Sequence, residues 1–251
     1  MVAANGPHDR LPAIQRRIAE QGSVRIPELA VELAVSEMTI RRDLDELEKL
    51  GVARRVRGGA VALGPEPFDD RNRHQARAKG RIAEKLLKLL PQRGTVAFDA
   101  SSTVHRLAAV LEGARDLVVV TNGVPTFLAL QDKPGIAVTL TGGTREPRTG
   151  SLVGPIASRS AEDFLFDVLI CSGTAIDARV GSSEASLAEA EVKRSLGASS
   201  ERIVVAVDHS KLERRGDARM FRLDQIDVLV TDLDPDDPRL RPYRADGLTL
   251  L

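Results

Sequence analysis

Cysteine is nearly absent from this chain: Cys171 is the only one in 251 residues. A single thiol excludes an internal disulfide framework and fits a reducing cytosol. Its place in the apolar run Val168-Leu169-Ile170-Cys171 marks a buried core thiol, not a nucleophile. Net charge is absent too, 36 basic side chains being matched by 36 acidic ones. That balance excludes a protein that coats nucleic acid nonspecifically and leaves room for a local basic patch. No apolar run is long enough to span a bilayer, and the N-terminal stretch has no apolar core of a secretion signal. No membrane partner is expected, and the expected location is cytoplasmic. The four histidines are scattered, none at a ligand spacing from the cysteine or from one another. Neither a metal site nor a cofactor is expected.

The length suits two domains, and 42% hydrophobic residues supply a sizeable core beyond a small N-terminal module. Residues 1–7 read as a lead-in. A first helix is expected over 9–21, with Leu11, Ile14 and Ile18 at helical spacing before Gly22. A short extended piece, 24–26, precedes a second helix over 27–33, whose first turn suits Pro27. The chain then turns into Ser36-Glu37-Met38-Thr39-Ile40-Arg41-Arg42-Asp43-Leu44. Ser36 is a good N-cap, Gly51 suits a left-handed stop, and Ile40, Leu44 and Leu47 share one buried stripe. Met38 and Arg42 point away from that stripe, with Thr39 and Arg41 on its flanks. Over 36–51 the acids outnumber the bases. Such a helix meets DNA by its front turns only, with residues 45–49 lifted away from phosphate.

Two short helices, a tight turn and a third helix make a helix-turn-helix pattern. Residues 52–61 add two β-capable runs around a turn, the form of a wing. There Arg54, Arg55 and Arg57 concentrate positive charge without a compensating acid, which suits phosphate or minor-groove contact. The DNA-binding domain is thus expected over 1–62. A linker with Gly64, Pro65 and Pro67 follows, then one charged connecting helix over 72–90, together filling 63–90.

Glu28-Leu29-Ala30, the run from Val35 to Leu44, Leu47-Glu48 and Arg57-Gly58-Gly59-Ala60 resemble the DeoR family of bacterial transcriptional regulators. The resemblance implies a recognition helix in the major groove of an operator, with Ser36, Thr39, Arg41 and Arg42 as DNA contacts. Met38 stands where the family often has another residue, which implies a part in setting operator sequence.

Beyond residue 90 strands and helices alternate. Strands are expected over 95–99, 117–121, 136–141, 167–172, 202–208 and 227–232, and helices over 103–111, 124–131, 155–164 and 186–195. This order describes an α/β domain, 91–251, with a parallel sheet covered on both faces. Ligands of such sheets bind at the carboxyl ends of strands. Polar residues collect there: Asp99-Ala100-Ser101-Ser102-Thr103 opening a helix, Thr121-Asn122-Gly123, Thr141-Gly142-Gly143, Ser172-Gly173-Thr174 and Asp208-His209-Ser210-Lys211. Free N–H groups at a helix start suit an anion. Hydroxyls and a lysine beside them fit a phosphorylated sugar or polyol.

These loops, with Gly181-Ser182 and Glu189-Ala190-Glu191-Val192-Lys193-Arg194, are similar to the effector domain of the same family. Its fold is similar to ribose-5-phosphate isomerase and CoA-transferase domains. Carried over by position, the resemblance implies effector contacts at Asp99, Ser101, Ser102, Thr103, Thr121, Asn122, Gly142, Gly143, Ser172, Lys193, Asp208 and Lys211. Ser101 and Ala175 stand where the family carries glycine, and serine tolerates a positive φ poorly.

Two functions use this inventory. One is a ligand-controlled regulator, a repressor of carbohydrate-metabolism genes released by a phosphorylated sugar. It acts as at least a dimer, because one monomer offers a single small reader. The other is a sugar-phosphate isomerase with a DNA-binding appendage, using Asp99, Asp177, Glu189 or Asp208 as its base. The resemblance implies a pocket that senses without turnover, and hence no enzyme.

Overall fold

The computed structural model describes residues 7–50, 52–62, 67–245 and 247–251. The lead-in before Pro7, Gly51, and Gly64 and Pro65 of the linker lie outside the described residues. The chain forms two compact units, Met1–Pro67 and Phe68–Leu251.

In the first unit α1 (Pro7–Gln21), β1 (Ser23–Arg25), α2 (Ile26–Glu32) and α3 (Glu37–Lys49) precede a hairpin of β2 (Ala53–Val56) and β3 (Gly59–Ala62). Pro27 lies in the first turn of α2, where its missing N–H costs nothing. Ser36 caps α3 by accepting from the Thr39 N–H at 3.1 Å. Ile40, Leu44 and Leu47 close a core with Ile14, Ile18, Val24, Ile26 and Leu29. Each such side chain contributes about 1.5–3 kcal/mol on full burial. β1 pairs with β3, giving an antiparallel sheet of order β1-β3-β2. That pairing explains both glycines of the wing. Gly58 turns the hairpin at φ +85, and a Cβ on Gly59 would lie 1.9 Å from the Val24 carbonyl oxygen. The two backbones can approach only if residue 59 has no side chain.

The second unit opens with α4 (Phe68–Arg73) and α5 (Ala76–Leu87). The single connecting helix expected over 72–90 is therefore two helices. Gln75 breaks it by adopting the left-handed conformation at φ 54. The buried Lys79 ammonium stabilises the break, donating to the carbonyls of Arg71 and His74. Those are groups that a helix end leaves unsatisfied.

Next come β4 (Gly94–Phe98), α6 (Ser102–Val110), β5 (Leu117–Thr121), α7 (Val124–Leu130) and β6 (Ile136–Leu140). β7 (Thr144–Arg145), β8 (Leu152–Val153), α8 (Pro155–Glu162), β9 (Val168–Cys171), β10 (Ala175–Asp177) and β11 (Gly181–Glu184) follow. The chain ends with α9 (Leu187–Ala198), β12 (Ile203–Ala206), β13 (Ala218–Arg219), β14 (Val228–Val230) and β15 (Thr249–Leu250). Among the described residues seven strands form one parallel sheet, ordered β15-β14-β12-β9-β4-β5-β6. Strand alternation sends Val96 and Phe98 into a core with α5, α6 and α7, and Ala97 into a core with α8 and α9. Helices cover both faces, as the βα alternation requires.

Three additions escape the sequence reading: the β7–β8 hairpin, the antiparallel sheet β10-β11-β13 and the edge strand β15 of the main sheet. Their strands are two to four residues long, too short for an alternation to register. Among the described residues no helix is long and apolar enough to cross a membrane.

Candidate functional site

The outer side of α3 carries Met38, 60% exposed, with Arg41 and Arg42 exposed behind it. The Ser36 and Thr39 hydroxyls bond to each other at 2.9 Å, so both hold the cap together. Arg41 pairs with Glu37 at 3.4 Å. Arg42, Arg54 and Arg57 have no acidic partner among the described residues.

Arg55 is different and corrects the expectation of an uncompensated wing cation. Its Nη1 reaches Asp45 Oδ1 at 3.1 Å and the Arg41 carbonyl at 3.0 Å, and its N–H donates to Glu48 Oε1 at 2.7 Å. The hairpin folds back on the helix that precedes it, so Arg55 braces the wing against α3. Asp43 corrects the charge count in the same way. It is buried against Arg10 of α1, which donates from Nη2 to Oδ1 at 2.9 Å. That hydrogen bonding holds the Arg10 guanidinium above its ordinary pKa despite burial. Asp43 and Asp45, two of the acids counted against DNA contact, are thus neutralised within the unit, and Arg42, Arg54 and Arg57 of α3 and the wing keep exposed charge without an acidic partner among the described residues.

In the second unit the strand ends meet in one polar network. Asp99, fully buried at the end of β4, accepts from the Ser101 N–H at 3.0 Å and the Ser172 N–H at 2.9 Å. Lys193 of α9 lies 2.8 Å from Asp99 Oδ2, also contacts Glu184, and donates to the Ser172 carbonyl at 2.9 Å. Glu184 accepts from the Thr174 hydroxyl at 2.7 Å. Lys211 donates to the Gly173 carbonyl at 2.7 Å and lies 3.4 Å from the Ser172 hydroxyl. On the other side Glu189 accepts from Ser151 at 2.7 Å, and Ser151 lies 2.6 Å from the Thr149 hydroxyl.

The electrostatics follow from this packing. Burial pulls the Lys193 ammonium down, but Asp99, Glu184 and Glu189 overcome it, so its pKa stands above the ordinary lysine value. Burial pushes Glu184 up, and the charge and hydrogen bond of Lys193 overcome that, holding it below the ordinary carboxyl value. For Lys211 burial wins: its pKa is lowered despite Asp208 and Glu184, and Lys193 and Arg71 add to the lowering. Buried charges cost several kcal/mol each even when paired. A cluster of them at strand ends therefore marks a site more than a scaffold.

The N-terminus of α6 opens beside this network, where Ser101 meets Asp99. Ser101 is its N-cap, with φ −76, and its hydroxyl accepts from the Val104 N–H at 3.2 Å. The backbone there needs no positive φ, so serine in place of the family's glycine brings no strain. Ala175, in extended pairing with Ser183, needs none either. With the Val104 N–H taken, those of Ser102 and Thr103 are the first-turn donors left. Buried polar atoms without a partner lie at Thr103 Oγ1 and, at the end of β5 and start of α7, at Asn122 Oδ1 and Thr126 Oγ1.

Other expected residues have internal duties. Thr121 Oγ1 accepts from the Gly123 N–H at 3.1 Å, and Asn122 Nδ2 donates to the Leu152 carbonyl at 3.1 Å. Asp208 caps the following turn by accepting from the Ser210 N–H at 3.1 Å. Gly142 and Gly143 adopt φ +74 and +117 beside α8, which accounts for the residue type there. The carboxylates considered for isomerase chemistry are engaged as well: Asp99 by Lys193, Glu189 by Ser151, Asp208 by Ser210 and Asp177 by Arg215 at 3.1 Å.

Sequence reasoning missed Arg71 and Glu184. Arg71 falls at the end of the expected linker, yet α4 brings it to the Thr149 carbonyl at 3.4 Å and close enough to Lys211 to depress that ammonium. Glu184 ends a strand of glycine and serine. A lone acid in so small-sided a run was the signal available.

Comparison with known proteins agrees with this two-part layout. Residues 10–66 match the DeoR-like helix-turn-helix domain, and residues 74–233 match the DeoR C terminal sensor domain. The HTH-type transcriptional regulator GolR of Listeria innocua is 33% identical over 96% of this chain and 97% of its own. The putative aga operon transcriptional repressor of Escherichia coli O157:H7 is 30% identical over 98% and 94%. The glycerol-3-phosphate regulon repressor of Escherichia coli K12 is 30% identical over 87% and 88%. Among solved structures, ribose 5-phosphate isomerase A from Neisseria gonorrhoeae aligns with 53% of this chain and 52% of its own. Its identity is 18% and its TM-score 0.38, a level of likeness that says nothing about chemistry.

Proposed function

The chain belongs to the DeoR family of helix-turn-helix transcriptional regulators, and from that premise we propose that it represses carbohydrate-metabolism genes until a phosphorylated sugar or polyol releases it. The observation that carries the effector class is the start of α6. Two free N–H groups and the unpartnered Thr103 hydroxyl lie there in a buried setting, and Lys211 is linked to them through Ser172 and Asp99. Oriented N–H donors and an ammonium favour a dianion over a neutral sugar. The buried hydroxyl and carboxylate groups around them suit the rest of a polyol. Relatives named for an aga operon and a glycerol-3-phosphate regulon support the same metabolic setting.

The reading on DNA rests on α3 and the wing. Arg42, Met38 and Thr39 present to the major groove, and Arg54 and Arg57 to phosphate or the minor groove. Arg71 suggests how the two are coupled. It sits on the first helix of the sensing unit, four residues after the unit boundary at Pro67. An anion that draws on Arg71 acts on the helix to which the reader is tethered. That biases the spacing of paired readers and lowers operator affinity.

A thermal-shift screen tests the effector class. Phosphorylated sugars and their unphosphorylated parents are compared at equal concentration. Stabilisation by phosphorylated members alone is expected, about 2.7 kcal/mol at a hundredfold excess over Kd. Equal stabilisation by the parents would remove the anion subsite from the account.

A further inference from the structure

Helices α8 and α9 lie side by side on the second unit, and a groove of about 600 Å³ runs between them. Its walls carry Arg159 and Glu162 from α8, and Glu191 and Arg194 from α9. Among the described residues none of the four pairs with an opposite charge; Arg159, Glu162 and Glu191 are exposed, and the half-buried Arg194 donates to the Arg219 carbonyl. The arrangement of signs is specific. Both helices lead directly into neighbouring parallel strands, β9 and β12, so they run in the same direction. The Ser195 hydroxyl lies 3.3 Å from Glu162, which puts Glu162 beside Arg194. Helix periodicity sets Arg159 one turn before Glu162 and Glu191 one turn before Arg194. The four charges therefore form a chequerboard, positive over negative on one helix and negative over positive on the other.

A chequerboard is self-complementary. With a two-fold axis along the groove, Arg159 faces the second copy's Glu191 and Glu162 faces its Arg194. With the axis across the groove, Arg159 faces Glu162 and Glu191 faces Arg194. Both arrangements meet opposite sign with opposite sign, the requirement of an isologous contact. Ile156 and Leu187, each 62% exposed at the starts of the same helices, add apolar area. We propose that the α8–α9 groove is the surface through which two copies of this chain pair.

The test uses the full chain and sedimentation velocity. Arg159→Glu with Arg194→Glu makes the patch wholly acidic, and Glu162→Arg with Glu191→Arg makes it wholly basic. Each double variant should keep the wild-type circular dichroism and dissociate at a concentration about 100-fold higher than wild type, since like charges then meet. An equimolar mixture of the two should recover dimers, each containing one acidic and one basic chain. Wild-type dimers should also weaken as salt rises from 50 to 500 mM, on the order expected for exposed ion pairs. Wild-type dimerisation in both variants, failure of the folded mixture to pair, or a wild-type dimer indifferent to salt would each overturn the proposal.

Discussion

Asp43 and Asp45 show how much of the reader depends on single side chains that face away from DNA. Asp43 holds the buried Arg10, and Asp45 holds the wing through Arg55. Replacing Asp43 with alanine leaves a buried guanidinium without its counter-charge. The expected cost is about 3–5 kcal/mol, read by urea unfolding of the full chain; a loss below 1 kcal/mol would mean that Arg10 finds water or another partner. The pocket has its own single-residue test. Burial holds Lys211 below the ordinary lysine value, whereas Lys193 is held above it by Asp99, Glu184 and Glu189 despite its burial. If the ammonium holds an anionic effector, as proposed, affinity should fall with rising pH, beginning below the usual lysine range. Lys211→Arg, which does not titrate there, should flatten the profile measured by titration calorimetry. The same fall in the arginine variant would assign the titration elsewhere. The Ser36 cap was legible in sequence because it is local, three residues from its partner. The burial of Asp43 was not, because Arg10 lies 33 residues away.

At the scale of elements, apolar spacing located six of the seven strands of the main sheet and the helices that cover it, but neither the two-residue edge strand β15 nor the interruptions of the helices. Periodicity carried one helix across 72–90, because Ile82 and Leu86 continue a stripe and nothing in the pattern marks the left-handed Gln75. The capping by Lys79 comes from a side chain inside the next helix, which a propensity scale treats as a good helix former. Within α5, Gly80 is a weak point: a Cβ there would meet nothing within 4 Å. Gly80→Ala should stabilise the protein by about 0.5–1 kcal/mol without altering effector affinity. A destabilised variant in thermal unfolding would show that this turn of α5 is packed more closely than its geometry indicates. The strand-end polar network was legible as a list of polar loops, since an α/β sheet collects them on one edge. Its charge network was not, because Glu184 and Arg71 reach it from elements with no periodic signature.

At the scale of the molecule, the reader and the sensing unit have separate cores, the first built on α1, α2 and α3 and the second on the two faces of the parallel sheet. Separate cores predict separable functions. The measurement that tests this most directly is fluorescence anisotropy at fixed salt, with an operator selected from random DNA by the wild-type protein. Arg42→Ala should weaken operator binding by about 1–3 kcal/mol while keeping its affinity for the sugar phosphate. Lys211→Ala should bind the operator as wild type does and no longer be released by the effector. Unchanged operator affinity in the first variant, or full release of the second by the effector, would contradict the account.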